Sequence, residues 1–296
     1  MTDAKTRHYL DYNATTPVRP EVIDAVARAM AVIGNSSSVH AEGRAARAIV
    51  EEGREKLRTL VNAPVNGVIL TGGGTEAIHY ALNGTVRTGN VQRIFVSAIE
   101  HAAVPANAGE IGVPVETIPA TNSGVIDLNW LRDRLKDYDV KRDGGFLVCV
   151  MFANNETGVI QPVKEAADIV HDKGGLIFVD AAQAVGKVPV NFVMSGADLM
   201  AVTAHKFGGP IGVGALIAGP NLPLHPVMRG GGHESNRRAG THNVPAIAGL
   251  GTACDLAPSS VAKATKIAAM RDRMQAAAED AGAHVWRSEE RRVGKE

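Results

Sequence analysis

Short, nearly continuous apolar runs recur along the chain, and each gives way to small or polar residues. They are "GVILTGGG" from Gly67, "RIFVSAIE" from Arg93, "GFLVCVMFANN" from Gly145, "GLIFVDAAQ" from Gly175 and "ADLMAVTAHK" from Ala197. Between them the apolar positions follow a helical period, as in "HAEGRAARAIVEEGREKLRTLV" from His40 and "VKEAADIVHDKG" from Val163. Fully apolar strands separated by helices predict an α/β fold with a mostly parallel central sheet covered on both faces. In such sheets ligands bind outside the carboxyl ends of the strands. His101, Asn154, Asn155, Asp180, Gln183, His205 and Lys206 all fall at those ends. No internal repeat or low-complexity linker interrupts the pattern. The stretch "GPNLPLHPVMRGGGHESNRRAGTHNVP" from Gly219 reads as a long loop, and loops of that length are usually functional.

Composition narrows the class. With 296 residues, 45% of them hydrophobic and 21% charged, the chain can bury a sizeable core as one large or two smaller domains. Lys plus Arg and Asp plus Glu each number 31, so no global charge favours nucleic acid or an anionic membrane. No run approaches the roughly 20 apolar residues of a membrane span. The N-terminal stretch lacks the apolar core of a signal peptide. The two cysteines, Cys149 and Cys254, are too few for a disulfide scaffold. They lie in an apolar strand and an apolar helix, where they read as small buried hydrophobes. A cytoplasmic protein acting on small molecules or other proteins is expected.

Each polar residue at the strand ends has two readings. "TGGGTEA", Thr71 to Ala77, could hold a phosphate on the amides of a helix N-terminus, or it could be a tight turn with Thr75 as helix cap. It matches neither a Walker A loop nor a dinucleotide fingerprint. Asp180 could be a cap or pair with a buried cation, and His101 could be a core histidine or a ring for stacking. A lone lysine such as Lys206 is usually a solvated loop residue. Taken together, a phosphate turn, a stacking histidine, a strand-end aspartate and a strand-end lysine are what pyridoxal 5'-phosphate requires. The lysine forms an imine with its aldehyde, and the aspartate keeps its ring nitrogen protonated, so that the ring withdraws electrons.

At this point the sequence resembles the cysteine desulfurases of the aminotransferase class V group, fold-type I enzymes that depend on pyridoxal phosphate. The resemblance is carried by "YLDYNATTP", "GNSSSVHAEGRAAR", "TGGGTEA", "EHAAV", "ANNETGVIQ", "VDAAQAVGK", "TAHKFGGPIGVGAL" and "RGGGHESNRRAGT", in order from Tyr9 to Thr241. It implies that Lys206 carries the imine and shuttles the proton of the substrate's α carbon. It places Asp180 at the pyridine nitrogen, Gln183 at the phenolic oxygen, His101 stacked on the ring and assisting proton transfer, and Asn155 beside the ring. Gly74, Thr75, Thr203 and His205 would hold the phosphate, and Thr241 would reach the phosphate of the neighbouring subunit in a homodimer. Thr203 stands where many members carry serine, and the hydroxyl is kept. The implied reaction converts L-cysteine to L-alanine and leaves sulfur as an enzyme persulfide. A sulfur acceptor or iron–sulfur scaffold protein would then receive it.

The resemblance also implies a domain plan. An N-terminal segment occupies 1–15, the large cofactor-binding domain 16–255, and the start of a small C-terminal domain 256–286. Most of that small domain, with the sulfur-accepting cysteine and the arginine for the substrate carboxylate, is expected to be missing, which would leave the chain inactive. The last ten residues, "RSEERRVGKE" (287–296), match nothing in the family. They are the translation of AGATCGGAAGAGCGTCGTGTAGGGAAAGAG, which resembles a sequencing-library adapter, so a non-native tail is expected there. The alternatives are another class V activity, such as selenocysteine lyase or an aminotransferase, and a noncatalytic protein that keeps the fold. No metal site is expected.

Overall fold

The apolar runs become strands in the computed structural model, which describes residues 8–283. The expected tail at 287–296 lies outside the described residues. The strands are β1 (Val68–Thr71), β2 (Arg93–Ser97), β3 (Val115–Ile118), β4 (Phe146–Met151), β5 (Leu176–Asp180), β6 (Leu199–Thr203) and β7 (Gly214–Ala218). The helices are α1 (Pro20–Met30), α2 (Ala41–Leu60), α3 (Gly74–Val86), α4 (Ala103–Glu110), α5 (Leu128–Leu135), α6 (Val140–Asp143), α7 (Val163–His171), α8 (Phe192–Ser195), α9 (Val244–Val261) and α10 (Ala264–Asp280).

The strands form one sheet in the order β1-β7-β6-β5-β4-β2-β3. The pairs among β6, β5, β4, β2 and β3 are parallel, and only β7 runs against its two neighbours. Side chains alternate between the faces, as the period of two demands. Phe146, Val148 and Val150 of β4 join one buried cluster with Leu57 of α2, Val163 of α7 and Leu250 of α9, while Leu147 and Cys149 join another with Tyr80 of α3 and Val104 of α4. Every residue of β4 is buried, which is why this strand reads as a continuous apolar run. Fully burying each such side chain contributes about 1.5–3 kcal/mol.

α2 forms because Ala46, Val50, Gly53 and Leu57 recur on one face, and the His40 ring accepts from the Gly43 N–H at its start. That face packs on α9, which also lies along α1. α9 is one continuous helix through position 255, where the sequence reading placed a domain boundary. α10 buries none of its residues, and Ile267, Met270 and Met274 are exposed along it.

Candidate active site

Because β1, β2, β4, β5 and β6 point the same way, their carboxyl ends share one edge of the sheet. Thr71, Gly214 and Thr203 lie side by side there, at the end of β1, the start of β7 and the end of β6. The glycine turn after β1 crosses this edge closely. A Cβ on Gly214 would stand 2.5 Å from the Val202 carbonyl oxygen and 2.9 Å from the Gly73 carbonyl carbon, so only glycine fits. Gly73 has φ of +154° and occupies the N-cap of α3 with no side-chain cap. The alternative role for Thr75 as the cap therefore does not hold. The cap position falls two residues earlier, and Thr75 sits exposed in the first turn. A Cβ on Gly74 would lie 3.5 Å from the Thr203 Cβ and 3.7 Å from its methyl, so the first turn of α3 starts beside the Thr203 side chain. An uncapped helix N-terminus beside a hydroxyl suits a phosphate.

Asp180 ends β5 and is buried. Its Oδ1 accepts from the Ala182 N–H at 2.9 Å. Burial raises its pKa, opposed by that N–H and by the nearby charges of His101 and Lys206. A buried carboxylate in this position favours a cation against it. His101 begins the turn into α4, and its Nδ1 accepts from the Ala103 N–H at 3.2 Å. Lys206 follows β6 in a short 3-10 turn, Ala204–Lys206. Burial lowers its pKa, with Asp180 and Asp11 pulling the other way. The lysine thus stands nearer to the neutral amine than a surface lysine does.

The segment before α1 closes over this lysine. The Lys206 ammonium donates to the carbonyls of Asn13 and Ala14, the latter at 2.9 Å. The Gln183 Nε2 donates to the Asn13 carbonyl at 2.9 Å. The His205 ring shares a hydrogen bond of 3.2 Å with the Thr15 hydroxyl, and its carbonyl accepts from the Thr16 N–H. The Asn155 side chain turns to Glu156 at 2.6 Å, while its carbonyl accepts from Asn13 Nδ2. Asn154 instead folds its own loop, accepting from the Glu156 and Thr157 N–H groups. Thr241 is exposed in the loop before α9 and has no hydrogen bond to these residues. Cys149 and Cys254 are buried, and burial pushes both thiols up, so neither is poised as a nucleophile.

Sequence reasoning passed over four residues. Asn13 lies inside a quoted motif but carries no charge or metal-binding chemistry to draw attention. Glu100 precedes His101, and its carboxyl is driven up to about 8 by burial and by Asp180. Its Oε1 accepts from the Met151 N–H, while Oε2 is buried with no partner among the described residues. Lys187 lies four residues after Gln183, the helical spacing that could have flagged it. Glu234, in the glycine-rich loop, is the fourth.

Glu234 is buried and accepts from both arms of Arg54, from the Leu70 N–H and from the His242 ring. Burial alone would raise its pKa, but His242 and Arg54 outweigh it and hold the carboxyl down at about 2. Glu234, Ser235 and Asn236 all adopt left-handed backbone angles, a strained run that these bonds over-determine. Glu234 and Ser235 border a cleft of about 530 Å³ that none of the expected site residues lines. Glu234→Ala removes the buried partner of Arg54, which keeps Glu51 and the Val68 carbonyl, and leaves the Leu70 N–H unpaired; it is expected to lower stability by about 2–3 kcal/mol, read by urea unfolding at neutral pH. In the wild type that contribution is full above the ordinary glutamate pKa of 4.5 and fades as pH falls toward 2.

Fold and site together define an α/β protein built to hold a small phosphorylated ring beside a lysine. The chain matches the aminotransferase class-V family over residues 8–293. It is 39% identical over 259 residues to a protein named cysteine desulfurase IscS from Dictyoglomus turgidum, covering 86% of this chain and 64% of that one. It is 37% identical to an IscS-like cysteine desulfurase from Mycobacterium tuberculosis, covering 90% of this chain and 69% of that one. A solved NifS-like protein superposes with a TM-score of 0.88 at 33% identity, over 94% of this chain and 77% of that one. The chain belongs to the aminotransferase class-V family and, within it, to the cysteine desulfurases. It spans 64% to 70% of the length of the curated relatives it matches.

Enzymes of this family use pyridoxal 5'-phosphate. The residues present fit that group. The uncapped start of α3 and the Thr203 hydroxyl suit its phosphate, buried Asp180 suits a protonated ring nitrogen, and Lys206 supplies the amine. Among the described residues no cluster of metal-binding side chains occurs, and no helix is long and apolar enough to cross a membrane.

Proposed function

We propose that the protein is a cysteine desulfurase that takes L-cysteine to L-alanine, its sulfur leaving as a persulfide on a thiol other than the buried Cys149 and Cys254 and passing to an acceptor or iron–sulfur scaffold protein. The observation that supports this reading is that Lys206, buried Asp180 and the turn of Gly74 beside Thr203 share the carboxyl edge of the sheet, with Lys206 close enough to Asp180 for their charges to interact, in a chain of this family. When bound, pyridoxal 5'-phosphate supplies an electron sink for charge built up at the substrate's α carbon. The N–H groups of Gly74 and Thr75, the Thr203 hydroxyl and the His205 ring hold the phosphate. The buried Asp180 carboxylate would pair with the ring nitrogen and hold its proton. The second N–H of Gln183 Nε2, whose other bond is to the Asn13 carbonyl, would serve the phenolic oxygen, and the His101 ring would stack on the cofactor. The Lys206 Nζ, already biased toward the neutral amine, accepts the α proton and returns it, and Asn155 orients the substrate beside it.

Thr241, exposed on its loop, is proposed to complete the phosphate site of a second subunit in a homodimer. Two free cysteines support work in the reducing cytoplasm. The test uses the protein loaded with pyridoxal 5'-phosphate and titrated with L-cysteine. L-cysteine should change the cofactor's absorption, and L-serine should not. No change with L-cysteine overturns the substrate assignment.

A further inference from the structure

Two lysines end at the same asparagine. Lys206 reaches the backbone carbonyl of Asn13, and Lys187, from the turn after β5, reaches its side chain. The Lys187 ammonium donates to the Asn13 Oδ1 at 3.2 Å and to the Gln183 Oε1. The other end of each amide is then committed. Gln183 Nε2 donates to the Asn13 carbonyl at 2.9 Å, and Asn13 Nδ2 donates to the Asn155 carbonyl at 2.9 Å. Lys187 is half-buried, and burial together with Lys206 pushes its pKa down to about 8. A cation drawn into that position against its own desolvation and a neighbouring ammonium must be held by specific acceptors.

The chemistry of the two partners explains what it does there. A side-chain amide has an acceptor end and a donor end of almost equal shape, and a hydrogen-bond network decides which way it turns. An ammonium has three donors and no acceptor, so it can bond only to the oxygen end. Lys187 therefore sets both amides at once. It turns the NH2 of Gln183 inward and the NH2 of Asn13 across to the Asn155 loop.

We propose that Lys187 is a positioning residue of the active site. It fixes the donor end of Gln183 toward the cofactor's phenolic oxygen and, through Asn13, pins the segment Asp11–Thr16 whose carbonyls hold the Lys206 amine. This rests on the cofactor reading above for the role of Gln183, but the pinning of the segment is a property of the protein alone. Lys187 acts through Gln183 and Asn13, without touching substrate.

The experiment compares the wild type with Lys187→Met and Lys187→Arg. Methionine keeps the apolar stem and its packing while removing all three donors, and arginine keeps donors without acceptors. Amide hydrogen exchange of the cofactor-free protein reads the segment directly. Lys187→Met should exchange several-fold faster over Asp11–Thr16, with β4 and α7 unchanged, and Lys187→Arg should recover most of the protection. After loading with pyridoxal 5'-phosphate, the absorption maximum of Lys187→Met should shift, because the donor to the phenolic oxygen is no longer fixed. Wild-type exchange over Asp11–Thr16 in Lys187→Met overturns the proposal, as does a lowered melting temperature with unchanged exchange. If Lys187→Met does not fold, Asn13→Ala removes the same tether while keeping the backbone carbonyl, and unchanged exchange in that variant overturns the proposal. Failure of the wild type to bind the cofactor would sink the cofactor reading, and the exchange result would still decide the role of Lys187.

Discussion

Replacing Lys206 with alanine is expected to abolish the visible absorption that the protein gains on adding pyridoxal 5'-phosphate, while the fold remains intact by circular dichroism. The side chain sits at the surface end of the site, so its loss leaves no cavity in the core. What disappears is the amine that the Asn13 and Ala14 carbonyls hold and that Asp180 attracts. As the group proposed to move the α proton, Lys206 also carries about a 10²–10⁴-fold share of the rate, the usual contribution of a positioned acid–base. Lys206→Arg distinguishes charge from chemistry. Arginine restores a cation near Asp180 but is not deprotonated in proteins, so the absorption stays absent. A variant that kept the absorption would show that another amine bonds the cofactor, and Lys187 is the nearest alternative the structure offers.

Glu100→Gln is expected to stabilise the cofactor-free protein, with a gain that grows with pH. The wild-type carboxyl titrates at about 8 when folded, because burial and Asp180 oppose its charge, against an ordinary value of 4.5. A carboxyl raised by folding favours the folded state fully below its unfolded pKa. That advantage is lost as pH climbs from 4.5 through 8, by about 5 kcal/mol in all. Glutamine keeps an acceptor for the Met151 N–H and never ionises, so its unfolding free energy lacks this loss across the same window. Chemical unfolding at pH 5, 7 and 9 reads the difference, and parallel curves for the two proteins would show that Glu100 is not the titrating group. Ser97 and Met151 favour the charged form, so the shift reflects burial beating both bonds.

These two residues also mark how far the sequence could be read. Lys206 and Asp180 were legible because each ends an apolar run, where an unpaired charge is costly unless something uses it. The strands themselves were legible for the same reason, since a strand buried on both faces must be apolar throughout. Parallel strands then place every strand-end residue on one edge without further information, and that edge is the candidate site. Glu100 was not legible. It stands beside His101 in the chain, but its pKa depends on Met151, Asp180 and the closing of β4 over it.

The sequence by itself determined the α/β sheet, its family, the edge that carries the chemistry and the lysine, aspartate and glycine turn that define it. These rest on local periodicity and on residue chemistry, which a chain carries wherever it goes. Tertiary structure alone decided which groups hold those residues. Asn13 meets Lys206 across 193 residues, and Arg54 meets Glu234 across 180. It also moved the cap of α3 to Gly73, and it set the amides of Gln183 and Asn13 around Lys187. Such contacts depend on where the sheet brings distant loops together, and no local pattern encodes that meeting.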